Sequence, residues 1–180
     1  MPRIPPVNST DIGADIRKAF NKHTTAYNTR ITNMKATLGH SVVAFEVYMQ
    51  WYPLYEEVKK IIGERLAYLY AYSISYAADC PLCTTYFRKT IIDAGENPEN
   101  FEVDEHGQQL LSFGSAIVAK QGFVEDELFD ALKKQYNDEQ LVVLIAFAGQ
   151  MIATNIFNNV IDTEIDSYLS DYLPRNKINK

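Results

Sequence analysis

Nowhere in the 180 residues does a pair of alternating apolar segments meet across hairpin turn chemistry, and the chain reads as all-α. The helical period recurs instead. Ile12, Ile16 and Phe20 follow one another every fourth residue from Thr10 onward. Gly39 is expected to be a left-handed stop after Ile31, Met34 and Leu38, with Ser41 capping the next helix. That helix should reach about Ile62, kinked or divided at Pro53. Over 64–78, Tyr68, Tyr72 and Tyr76 form one stripe and Leu66, Leu69 and Ser73 another. A strand also fits the alternating tyrosines there, but the length favours a buried helix. Asp79 is placed to cap a helix that opens at Cys80 and Pro81 and ends near Gly95, ahead of Pro98. An acidic loop over 97–107 precedes helices over 110–120 and 125–136. Asn137 and Gln140 then form a capping-box pattern for a long apolar helix through Val160, and Thr163 and Asp166 suggest a last short one. Residues 1–9, with Pro2, Pro5 and Pro6, read as an extended arm, 10–173 as a single domain and 174–180 as a flexible tail.

Apolar residues at 47% and charged ones at 22% supply an ordinary globular core. The net charge of −6 offers phosphate backbones no positive field, so no nucleic-acid partner is expected. The longest apolar stretch, 141–149, falls short of the ~20 residues that cross a bilayer, and no charged-then-apolar leader opens the chain. A cytoplasmic protein without a membrane partner is the expectation.

Cys80 and Cys83, separated by Pro81 and Leu82, are the only cysteines. Three apart on a helix, they share a face and can approach closely enough for a disulfide. The positive end of a helix favours thiolate, the nucleophile toward peroxides and disulfides, while the neighbouring Asp79 opposes it. Zinc would need four ligands, and His23, His40 and His106 are scattered singly; no metal and no cofactor are expected. Two small buried residues without a function are the structural alternative. Asn155, Asn158 and Asn159 interrupt the apolar helix and must find partners wherever they are buried, either facing the cysteine helix to orient a substrate or bonding helices and subunits together. His40 reads as a cap or surface residue, and Asp104, Glu105 and His106 as a solvated surface. The tyrosine-rich stretch 45–55 and part of 64–76 are expected to lie partly between subunits.

The segment 64–98, with Cys80-Pro-Leu-Cys83 opening a helix that ends Ile91-Ile-Asp-Ala-Gly95-Glu-Asn-Pro98, resembles the core of the carboxymuconolactone decarboxylase-like and alkylhydroperoxidase D-like family. The run Ala153-Thr-Asn155-Ile-Phe157-Asn158-Asn-Val160 is similar to that family's second conserved helix, and the likeness covers roughly residues 40 to 170. The resemblance implies an oligomeric all-α helical bundle, a homo-dimer, trimer or hexamer, whose cysteine pair reduces peroxides or a partner disulfide. Cys83 would attack and Cys80 would resolve, with a protein or small-thiol electron donor restoring the pair. In the peroxidase branch the motif is E-x(11)-C-x-x-C-x-x-x-H, and here the glutamate position falls on Tyr68 and the histidine position on Phe87. Glu64 one turn earlier, Thr84, Tyr86 or Tyr68 itself are the candidate substitutes, with Asn155 as a further supporting residue. A thiol-dependent peroxidase or disulfide oxidoreductase is the functional expectation. Its alternative is a non-catalytic oligomeric binding module with a vestigial cysteine pair.

Overall fold

Side chains written into the sequence open most of the helices. In chain order the described residues form α1 (Ala14–Tyr27), α2 (Asn33–Leu38), α3 (Val42–Met49), α4 (Trp51–Ala77), α5 (Pro81–Asp93), α6 (Glu105–Ala119), α7 (Asp126–Lys133), α8 (Asp138–Ile161) and a 3-10 turn, Ser167–Tyr172. Thr32, Ser41 and Asp104 each accept a backbone N–H at the start of α2, α3 and α6, and Asn137 and Gln140 close a reciprocal capping box on α8. The structure is a computed structural model that describes residues 1–8 and 10–174; of the tail expected at 174–180, all but Pro174 lies outside the described residues. No strand occurs among the described residues, and the fold is all-α.

Several local expectations change. The division expected at Pro53 falls at Gln50, between α3 and α4, because the proline sits in the first turn of α4, where its missing N–H goes unused. α4 bends instead at Gly63, whose φ of 78° and ψ of 160° suit glycine alone. Gly39 is not left-handed, with φ −60°. It is required by contact, since a Cβ there would stand 2.6 Å from the Phe20 ring. The acidic loop is shorter than expected because Asp104 caps α6 on the Gly107 N–H, drawing Glu105 and His106 into a helical turn. The last helix is the 3-10 turn, starting only at Ser167.

The main core joins α4, α6 and α8. Tyr70, Phe113, Leu144 and Phe147 are fully buried there, and the Tyr70 hydroxyl donates to the Leu144 carbonyl at 3.2 Å. Gly114 lets α6 approach, as a Cβ would meet the Tyr70 ring at 2.7 Å. Of the tyrosines expected partly between subunits, Tyr68, Tyr70 and Tyr72 are buried in this core, Tyr48, Tyr52 and Tyr55 are half-buried, and Tyr76 is exposed. α8, longer than the apolar stretch 141–149 within it, is long and apolar enough, by length and composition, to cross a membrane; its Leu141, Leu144, Phe147, Ala148 and Met151 pack into this core.

A second cluster joins α1 to α3 through Ile16, Phe20, Leu38, Phe45 and Met49. The N-terminal arm lies on this side of its own chain, with Arg3 N–H donating to Ile161 and Val7 N–H to Ala36. Buried Arg88 donates to the Tyr172 carbonyl at 2.9 Å and pairs with Glu99, fixing the 3-10 turn against α5. The cysteines sit where these pieces meet, packed with Leu82 and Leu169.

Candidate functional site

α4 ends at Ala77, and Asp79 turns the chain with φ 51°. Cys80, rather than Asp79, then takes the N-cap position of α5: its Sγ accepts the Cys83 N–H at 3.3 Å, and Pro81 fills the first helical position. Asn159 braces the turn by donating to the carbonyls of Ala78 and Asp79, each at 3.3 Å. Both thiols are free and buried. The hydrogen bond from the Cys83 side chain holds the Cys80 thiol below its ordinary range, against burial and the Asp79 charge. The same bond and burial push Cys83 well above its range, and the Asn158 amide offsets part of this. Their mutual hydrogen bond thus shifts the two thiols in opposite directions, Cys80 down and Cys83 up.

A cavity of about 470 Å³ opens beside Cys83, while Cys80 stays behind the wall. Aromatic rings make much of that wall: Tyr48, Trp51, Tyr52, Tyr86, Phe87 and Tyr168. Asn158 reaches in from α8, its Nδ2 donating to Cys83 Sγ and to Met34 Sδ, each at 3.3 Å, while the Thr163 hydroxyl donates to its Oδ1 at 2.9 Å. The amide is thus fixed in orientation. Lys35, only 3% exposed, also lines the cavity and donates to Thr29 Oγ1 at 3.1 Å and to the Arg30 carbonyl at 2.9 Å, with its Nζ 5.0 Å from the Tyr52 ring centre. Burial lowers its pKa to about 8 against the attraction of Asp166. Burial, then the Lys35 charge, lowers His23 to about 4.

The sequence-selected residues separate. Cys83, Tyr86 and Phe87 line the cavity. Tyr68 does not; its hydroxyl donates to Glu96 Oε1 at 2.7 Å, and Arg65 Nε donates to the same oxygen at 2.9 Å. Glu64 is exposed and Thr84 is buried, and neither is part of the wall. Asn155 is fully buried away from the wall, accepting from Ser75 Oγ at 3.4 Å, with no partner for its Nδ2 among the described residues. None of the histidines lines the cavity: His23 packs among Tyr27, Phe45 and Tyr52, His40 bonds the Pro5 carbonyl at 2.9 Å, and His106 bonds Tyr136. Among the described residues, no group of three or more His, Cys, Asp or Glu is arranged to hold a metal.

Sequence reasoning missed the wall around residues 28–35 and 166–169. One signal was available. Lys35 stands four residues after Ile31 and three before Leu38, a charge on an apolar helical face.

No protein-family model matches this chain, and no curated protein sequence matches it. Solved structures do. The apo debrominase Bmp8 has a TM-score of 0.75 over 94% of this chain and 95% of that one, at 18% identity. A cysteine-to-alanine variant of Bmp8 in complex with 2,3,4-tribromopyrrole has a TM-score of 0.77 over 94% of each chain, at 17% identity. An uncharacterized peroxidase-related protein from Silicibacter sp. TM1040 has a TM-score of 0.67 over 92% of this chain and 91% of that one, at 13% identity. At these identities the likeness is one of fold, and the chain has the all-α, alkylhydroperoxidase D-like helical fold, carrying a free cysteine pair at the start of α5.

Proposed function

We propose that the protein is a thiol-dependent two-electron reductase of a small electrophile, with a hydroperoxide as the first substrate class to test. The observation that carries this reading is the placement of the pair: Cys83 faces the cavity, and Cys80, the N-cap of α5, stands directly behind it. Cys83 sulfur attacks the distal peroxide oxygen, the O–O bond breaks, and Cys80 thiolate takes the Cys83 proton; the alkoxide leaves as an alcohol after protonation from solvent. Cys80 then attacks the Cys83 sulfenic acid, giving a disulfide and water. The substrate gains two electrons and the thiols lose two. An external small thiol or a protein dithiol reduces the disulfide, which suits a reducing, cytoplasmic setting. In this scheme Cys80 serves as the base where the family's glutamate and histidine positions hold Tyr68 and Phe87.

A second substrate class has its own support. The ring-lined cavity suits a planar aromatic, and a structural neighbour holds tribromopyrrole. Reduction of a carbon–halogen bond would balance in the same way, two thiols and an aryl halide giving the disulfide, the arene and hydrogen halide. Peroxide consumption by wild type with dithiothreitol, beside Cys80→Ser and Cys83→Ser, tests the thiol reading, with a bromoarene run in parallel. Turnover in wild type and a loss of at least about a hundredfold in both variants is expected. Inertness of the wild type toward both substrates would favour a binding module instead.

A homo-oligomer is part of the proposal. Along α8, Val142, Ile145, Ile156 and Val160 are exposed on one uncharged stripe past Gly149, a surface suited to a second copy of this chain. Light scattering at a mass above 20.5 kDa, reduced by Ile156→Glu, would support it; a wild-type monomer at working concentration would end it.

A further inference from the structure

Five charged side chains line the cavity, Arg30, Lys35 and Lys89 against Asp93 and Asp166, so the wall carries one excess positive charge. Each has a partner, but only one of the three cations is buried. Lys89 pairs with Asp93, Arg30 lies over the Tyr168 ring at 4.3 Å, and Asp166 accepts the Asn33 N–H at 2.9 Å. Lys35 differs. It is buried with hydrogen bonds on two of its three N–H groups, and it makes no carboxylate ion pair among the described residues. A buried ammonium without an ion pair is costly, and an anion beside it in the cavity removes much of that cost.

We propose that Lys35 anchors the anionic group of the ligand, so that the cavity takes compact aromatic anions, carboxylates or phenolates, in preference to neutral compounds of the same shape. The rings supply apolar contact and the ammonium supplies orientation. The hydrogen bonds of Lys35 run to Thr29 and Arg30 while the amide on Cys83 Sγ is that of Asn158, so Lys35 is left to act on the ligand. Of the groups facing it, His23 from α1 stays neutral down to about pH 4, Tyr52 from α4 stays neutral up to about 12, Arg30 is exposed over the Tyr168 ring, and Asp166 and Tyr168 come from the segment after α8. Tyr86, Lys89 and Asp93 face the cavity from α5.

This inference rests on the cavity being the substrate site, but its test needs no turnover. Trp51 is the only tryptophan and lines the cavity, so its fluorescence quenching reports occupancy. The probes are 4-nitrobenzoate and its neutral analogue 4-nitrobenzamide, titrated into the reduced full chain. Lys35→Met should weaken 4-nitrobenzoate by at least about tenfold and leave 4-nitrobenzamide within about twofold, which also reports an intact cavity. Lys35→Arg should restore the anion. Wild-type affinity for 4-nitrobenzoate should fall as pH rises through about 8, where Lys35 loses its proton, while Lys35→Arg holds its affinity. Should Lys35→Met fail to fold, that pH comparison decides. Equal affinity of wild type for both probes, or parallel pH profiles for wild type and Lys35→Arg, would overturn the assignment. Inert thiols with intact anion binding would remove the peroxidase reading alone.

Discussion

The α4–α6–α8 core and the cavity wall made by α2, residues 28–32 and the 3-10 turn bury side chains under opposite rules. In the core, Tyr70 hides its hydroxyl only because Leu144 accepts from it, and Phe147 packs against Trp51, Tyr55 and Tyr70 at ring separations of 6.0, 5.5 and 6.1 Å. Near the wall, Lys35 is buried without a carboxylate ion pair and His23 without a partner for its Nε2 among the described residues. The core is built for stability. The wall keeps a buried ammonium beside the cavity, where an anion would offset its cost.

Truncation in the core should give the largest effect. Phe147→Ala is expected to cost about 3–5 kcal/mol in urea unfolding, and a loss below about 1 kcal/mol would break the contrast. The next effect should come from acid. His23, lowered to about 4 in the fold against about 6.5 when unfolded, is neutral in the native state, so its environment contributes full stability above about pH 6.5 and loses it as pH falls toward 4. Thermal melts should show this decline in wild type and a flatter profile in His23→Phe; superimposable profiles would contradict it.

Lys35→Met should act in the opposite sense. The lysine's folded pKa of about 8 lies below its ordinary 10.5, so its burial destabilises the protein fully below pH 8 and progressively less as pH rises toward 10.5. A gain of about 2 kcal/mol at pH 7, shrinking at pH 10, is expected from melts of the variant, and a loss at pH 7 would place Lys35 among the stabilising groups. The smallest effect concerns reactivity. Asn158→Leu removes the donor that offsets the high pKa of Cys83, a change of about 1 kcal/mol, so alkylation of Cys83 should slow by roughly fivefold; an unchanged rate would show the amide to be packing only.

The same contrast explains what the sequence made legible. Helical period and capping chemistry act within a few residues, so Ile16 and Phe20, the Asn137–Gln140 box and the cysteine helix could all be read directly. The cavity could not, because Lys35, Cys83, Asn158 and Tyr168 meet only after α2, α5, α8 and the 3-10 turn have packed. Two expectations failed because a neighbouring group was better placed: Cys80 took the cap from Asp79, and Glu96 drew Tyr68 away from the thiols. Asn158 stood out as a polar interruption in an apolar helix, but its partner sulfurs lie in segments far from it in the chain.

The most direct measurement is the first oxidation event, followed by quenched alkylation and peptide mass spectrometry after one equivalent of cumene hydroperoxide is added to reduced wild type, Cys80→Ser and Cys83→Ser. A Cys80–Cys83 disulfide in wild type, a slowly formed sulfenic acid on Cys83 in Cys80→Ser, where the base is gone, and an unmodified Cys80 in Cys83→Ser are the expected results. Oxidation of Cys80 in the Cys83→Ser protein at the wild-type rate would contradict the assignment of Cys83 as the cavity-facing nucleophile.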